Sequence, residues 1–252
     1  MIMSKTLNNP YEAKKIGMLT PSSNTVLEPL CSSMVSGLED VVTMHYSRFR
    51  VTKISLEDDA LHQFDFTPML HAAELLADAD VDVIAWNGTS GGWLGLDVDR
   101  KLCELITKET GIPATTSMLS QLKLFNTLNV HTIHLITPYL SSIQDCLKKE
   151  YSQAGISIVN DENLGLSLNR SFSQVSQSQI QEMFAHVCTS PADAISVVCT
   201  NFPAMWSVPK MEAYYHIPII DTINCVVWDC MQILGLPTNL ITNNGMIFNI
   251  QS

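Results

Sequence analysis

Short runs of consecutive apolar residues recur along the chain, each closed by a small or polar residue, with amphipathic stretches between them. Uninterrupted runs of this length mark strands buried on both faces of a parallel sheet. They predict strands at 15–20, 40–46, 81–87 and 112–115, then at 131–137, 156–159, 193–199 and 217–220. The stretches between carry helical spacing. From Thr67 to Asp78, Met69, Leu70, Ala73 and Leu76 share a face. From Leu96 to Thr110, Leu102, Leu105 and Ile106 do the same, and Gly111 follows as a C-cap. Ser176 to Cys188 and Cys225 to Leu234 read likewise, and Asn24 stands as N-cap to a helix from Thr25 to Met34. Strand and helix in alternation predict an α/β fold, with parallel four-stranded sheets flanked by helices.

The pattern occurs twice. Ile16-Gly17-Met18-Leu19-Thr20-Pro21 matches Ile133-His134-Leu135-Ile136-Thr137-Pro138. The run ending in Gly88-Thr89-Ser90 matches the one ending in Cys199-Thr200-Asn201, and Ile112-Pro113 matches Ile217-Pro218. Three signals in the same order, with steadily shrinking separation, are what an internal duplication with small deletions leaves behind. The expectation is two similar lobes related by a pseudo-two-fold. The first spans 15–125 plus 226–252, the second 126–225, with 1–14 as an N-terminal extension. In such sheets ligands bind beyond the carboxyl ends of the strands. The duplicated motifs sit there, so the two lobes would share one cleft.

Composition narrows the partners. Of 252 residues, 46% are hydrophobic and 15% charged, which suits buried sheets and is compatible with a homo-oligomer. No apolar run approaches the ~20 residues of a membrane-spanning helix. The polar first ten residues lack a secretory h-region, so a cytoplasmic location is expected. A net charge of −11 and the lack of a basic stripe argue against nucleic acid. The seven cysteines form no C-x-x-C pair and read as reduced thiols. His131 and His134 would point to opposite faces of a strand, which argues against a shared metal.

Pro21-Ser22-Ser23-Asn24-Thr25, Gly88-Thr89-Ser90-Gly91, Tyr139 and Cys199-Thr200-Asn201 resemble the aspartate/glutamate racemase superfamily. Within it they are most similar to the branch containing maleate cis-trans isomerase and arylmalonate decarboxylase. The resemblance runs from about Lys15 to about Leu236. It implies a small carboxylic acid as substrate and no metal or organic cofactor. Cys199, Thr89, Ser90 and Tyr139 would be catalytic, with Pro21, Ser22, Ser23, Asn24, Gly88, Gly91, Asn169, Thr200 and Asn201 binding substrate. Most members of the superfamily carry one cysteine per lobe. Here the first position is Gly88, as the internal repeat also says. Gly-Thr-Ser with one later cysteine is the decarboxylase arrangement, whereas Asn24 and Asn169 resemble substrate contacts of maleate isomerase.

The chemistry needs donors for an enediolate and one group to move a proton. Thr89, Ser90, Tyr139 and the Thr200 amide offer the donors, and Cys199 the proton. Gly91 and Gly92 allow close backbone approach. Trp86, Trp93, Phe202 and Trp206 could wall the pocket. One thiol serves one face, so the expected activity is a cofactor-independent lyase that decarboxylates a substituted malonate. The alternatives are an isomerase or racemase of a small dicarboxylate, or a carboxylate-binding protein without turnover. Plainer roles stay open for each residue: a core cysteine at 199, helix caps at Thr89, Ser90 and Asn24, and a packed aromatic at Tyr139.

Overall fold

The computed structural model describes residues 12–250. Residues 1–11 of the expected extension therefore lie outside the described chain, and Lys14 already belongs to the first strand. The first sheet contains β1 (Lys14–Pro21), β2 (Val42–Phe49), β3 (Val83–Trp86) and β4 (Ala114–Thr116) in the order β2-β1-β3-β4, all parallel. The second contains β5 (Thr132–Tyr139), β6 (Ser157–Leu166), β7 (Ala194–Val197) and β8 (Ile219–Asp221) in the order β6-β5-β7-β8, again parallel. The second order repeats the first, as the duplicated motifs require. In each sheet the order reverses at one place, between β1 and β3 and between β5 and β7. Such a switch point opens a crevice at the strand ends, because the connections on either side leave in opposite directions.

Helices cover the sheets. In the first half they are α1 (Leu27–Met34), α2 (Asp58–Leu61), α3 (Phe66–Ala77), α4 (Gly91–Leu94), α5 (Leu96–Thr110) and α6 (Ser117–Thr127). In the second they are α7 (Ser141–Gln153), α8 (Asn169–Phe172), α9 (Gln177–Val187), α10 (Val208–Tyr215) and α11 (Thr222–Ile233). Helix α11 leaves the second sheet and packs on α1, α6, β3 and β4 of the first, while α6 reaches β8. This exchange locks the halves together. Asp229 on α11, buried at that contact, accepts hydrogen bonds from Thr115 (2.7 Å), Ser120 (3.0 Å) and Lys123 (2.5 Å). No helix among the described residues is long and apolar enough to cross a membrane.

Two departures from the sequence expectation have physical reasons. Strand β6 runs to Leu166 rather than ending at 159. It is an edge strand whose residues alternate between exposed and half-buried, so Asn160, Asp161, Glu162 and Asn163 break the apolar run without breaking the strand. The sequence pattern predicts no helix at α6, α7 or α10. The core face of α6 includes Ser117, Ser120 and Gln121, all buried and hydrogen-bonded. A polar core face mutes the apolar period by which a helix is read.

Candidate active site

The loops at the two switch points face each other, and their side chains meet. From β1, Asn24 donates from Nδ2 to Thr200 Oγ1 at 3.2 Å. Its Oδ1 takes the amides of Val26 and Leu27 at 2.9 and 3.0 Å, so the expected cap exists and one end of the side chain still crosses to the other lobe. Asn201 crosses in return, accepting the Thr25 amide at 2.9 Å. From β3, Thr89 Oγ1 lies 2.7 Å from the Tyr139 hydroxyl at the end of β5. The Tyr139 hydroxyl also faces the Cys199 sulfur beyond β7, close enough to influence its acidity. Asn24, Thr89, Ser90, Tyr139, Cys199, Thr200 and Asn201 are all buried.

Asn169 had no clear place in the sequence. The chain after β2 and the chain after β6 bridge at Lys53 and Leu168, with Ile54 donating to Ser167 O (2.8 Å) and the Asn169 amide to Thr52 O (3.0 Å). That bridge delivers Asn169 to the site, where its Nδ2 donates to Ser23 Oγ at 2.8 Å. Asn201 Nδ2 holds the Asn169 carbonyl at 2.7 Å. Pro21 is buried at the end of β1. Ser22 departs from the expectation: it is exposed, its hydroxyl is bonded to the Val51 backbone, and it stands outside the group.

Burial pushes the Cys199 thiol up to about 12, because desolvation disfavours the thiolate. The Tyr139 hydroxyl and the amides of Asn201 and Phe202 converge on the sulfur and oppose that shift. The group is thus a neutral thiol set in a cradle that would receive its conjugate base. Burial likewise holds Tyr139 well above the ordinary phenol range.

The Gly88 position is more than an absent side chain. The Trp86 ring lies over it, and a Cβ at 88 would fall 2.1 Å from Trp86 Cζ2. The ring is fixed by a hydrogen bond from Nε1 to Ser90 Oγ (3.1 Å) and by Phe49, with ring centroids 5.0 Å apart. Ser90 therefore binds Trp86 and makes no capping bond to α4. Of the other aromatics, Trp93 packs edge-on against Tyr139 (5.4 Å) and Phe64 (5.9 Å), and Phe172 against Tyr139 (5.3 Å). Phe202 is buried, but Trp206 is 57% exposed and forms no part of a pocket wall.

Several residues at the site carry no motif. Asn87 accepts from Thr200 Oγ1 through its carbonyl (3.2 Å) and from Ser117 through Oδ1 (3.3 Å). Thr222 accepts the Cys199 amide at 3.2 Å. Asp99 supports Gly91 from beneath, and Asp221 is buried beside the thiol with one carboxylate oxygen unpartnered. The signal that could have found Thr222 is the repeat itself: the residues after Ile112-Pro113 and Ile217-Pro218 end the last strand of each sheet, next to the Gly88 and Cys199 loops.

Duplicated α/β lobes with donors and a thiol at their facing switch points define a racemase-like fold of the aspartate/glutamate type. The chain belongs to the arylmalonate decarboxylase family, whose model matches residues 29–248. It is 24% identical over 247 residues to the maleate isomerase of Geobacillus stearothermophilus, covering 93% of this chain and 97% of that one. A Nocardia farcinica maleate cis-trans isomerase, a cysteine-to-serine mutant with a covalently bound succinylcysteine intermediate, superposes with a TM-score of 0.85 at 20% identity, covering 95% of this chain and all of that one. A structure of arylmalonate decarboxylase superposes with a TM-score of 0.74 at 16% identity, covering 94% of this chain and 100% of that one.

Proposed function

We propose that this chain is an isomerase that interconverts cis and trans forms of a small unsaturated dicarboxylate, with Cys199 as its single acting thiol. The observation that carries the reading is the grouping of donors around that sulfur. One set is two hydrogen-bonded pairs, Asn24 with Thr200 next to Cys199, and Ser23 with Asn169. The other, Thr89 and Tyr139, reaches the sulfur from β3 and β5. Two donor sets on either side of the Cys199 loop suit a molecule with two carboxylates and reactive carbons between them. The likeness to a maleate isomerase along nearly the whole chain supports the same substrate class.

In this reading the Cys199 sulfur adds to one alkene carbon. The π pair moves to the neighbouring carbon and into its carboxylate as an enediolate, whose oxygens the hydroxyl donors hold. Tyr139 gives its proton to that carbon and takes the thiol proton in exchange. The former double bond is now single and turns. The steps then reverse: the proton leaves carbon, the C–S bond breaks, and the trans alkene departs with thiol and phenol restored. One thiol suffices because the bond need be single only transiently. Racemisation needs a proton carrier on each face, and on the Gly88 side Trp86 fills that space.

One observation favours a second reading, decarboxylation of a substituted malonate. Cys199 is held neutral, as a proton donor to a carbanion must be, and the opposite face is closed by an apolar ring. Incubation with maleate and with substituted malonates in D₂O, followed by NMR, separates the two. Fumarate formed by the wild type and lost in Cys199→Ala supports the isomerase. Monoacid without fumarate puts the decarboxylase first. Turnover unchanged in Cys199→Ala refutes both.

A further inference from the structure

Asp99 lies in the first turn of α5, where an acidic residue is ordinary on the outer face because it meets the positive end of the helix. Asp97, two residues earlier, does that, with its side chain 96% exposed. Asp99 is turned inward instead and is 1% exposed. An inward carboxylate is costly unless its oxygens are satisfied, and among the described residues no ion pair reaches it. What reaches it are two donors. Thr116 Oγ1 donates to it at 2.5 Å, and the backbone N–H of Gly91, packed directly against the carboxylate, favours its charge. The Thr116 hydroxyl also accepts the Leu119 amide at 3.1 Å, so its own proton is committed to Asp99. The carboxylate sits so close under the loop that a Cβ at Gly91 would fall 2.3 Å from Asp99 Cγ.

We propose that Asp99 is the positioning residue of the donor loop, fixing Thr89 and Ser90 by pinning Gly91 to the end of β4 and the start of α6. This rests on the reading above, in which that loop faces the substrate. The second lobe has a counterpart. There Thr222, the first residue after β8, holds the Cys199 amide directly. Each donor loop is thus tied to the last strand of its own sheet, and in the first lobe a carboxylate carries the tie. Once ionised, above about pH 7, the carboxylate fits the role because it can accept from both groups. An amide of the same shape would accept from one and present N–H to the other.

The test uses the full-length protein. Asp99→Asn keeps the volume and loses one acceptor; since a donor displaced by about 1 Å can cost on the order of 100-fold, kcat should fall by roughly that factor with KM changed far less. In Asp99→Ala the tie is lost, and adding Gly91→Ala fills the vacated space with a methyl group. That double variant should regain thermal stability and stay slow. Wild-type kcat in Asp99→Asn, or recovery of kcat in the double variant, overturns the proposal, because either result makes Asp99 a packing residue only. Should Asp99→Asn not fold, Thr116→Val removes one donor and should lower kcat with KM little changed; unaltered kcat overturns the proposal. Amide exchange at Gly91, followed by NMR, does not depend on turnover. It should quicken in Asp99→Asn even if the wild type converts neither maleate nor a malonate, an outcome that would sink the functional reading alone. Unchanged exchange sinks the positioning role.

Discussion

Placing a cysteine at Gly88 is the most direct trial of the one-thiol site. The new Cβ would stand 2.1 Å from Trp86 Cζ2 and 2.5 Å from Cε2 and Cη2, well inside contact distance. Trp86 cannot yield freely. It is 1% exposed, packed at a tilt against Phe49 and bonded to Ser90. Forcing atoms into a filled core costs about 1–3 kcal/mol, and losing the indole hydrogen bond adds about 1 kcal/mol. Gly88→Cys should therefore destabilise by roughly 2–4 kcal/mol, a fall in Tm of about 5–15 °C for a chain of this size. Thermal unfolding followed by circular dichroism measures it. In a Trp86→Leu background the ring is gone, and the same cysteine should cost little more, so the two changes will be strongly non-additive. The double variant would carry a thiol in each lobe, and deuterium exchange into recovered substrate is the activity to seek there. If Gly88→Cys unfolds at the wild-type temperature, or if the two changes simply add, the ring does not occupy the position as described.

Other expectations can be checked with the same protein. Tyr139→Phe removes the hydroxyl that links Thr89 to the Cys199 sulfur, and kcat should drop on the order of 100-fold; a smaller loss than that of Thr89→Val would place the essential donor elsewhere. Asn169→Ala deletes the bond to Ser23 and one proposed substrate donor, and should raise KM about 10-fold for roughly 1.4 kcal/mol of binding, with unchanged KM counting against its role. Stability should also depend on pH. Burial raises Asp99 to about 7 and Asp221 to about 8 from an ordinary 3.8. Between about pH 4 and 8 the folded chain then holds protons that the unfolded chain has released, so stability falls as pH rises through that window. Asp221→Asn should flatten the upper part of the fall, and a Tm that climbs steadily from pH 5 to 8 would contradict the assignment.

The strands of both sheets were legible because full burial on two faces demands continuous apolar runs, and the repeat was legible because both copies keep their strand-end residues. Leu96 to Thr110 was read as a helix to the residue, closed by Gly111 at φ 75°, since capping is a local matter. The same repeat placed Cys199 opposite Gly88. Strand β6 and helix α6 escape the pattern, because an edge strand and a helix with a polar buried face lack the period that reveals them, whereas α7 buries Ile143, Leu147 and Tyr151 at ordinary helical spacing. Three features of the site belong to the tertiary structure alone. Asn169 arrives there through a bridge between two distant segments at Lys53 and Leu168. Asp99 has the sequence context of a surface acid in a first helical turn, and only packing turns it under Gly91. Trp86 reads from the sequence as a possible pocket wall, and only packing places its ring over Gly88, where the other lobe carries its thiol. Local spacing decides which elements form. Which side chain occupies the gap between them is decided where chain segments far apart in sequence come into contact.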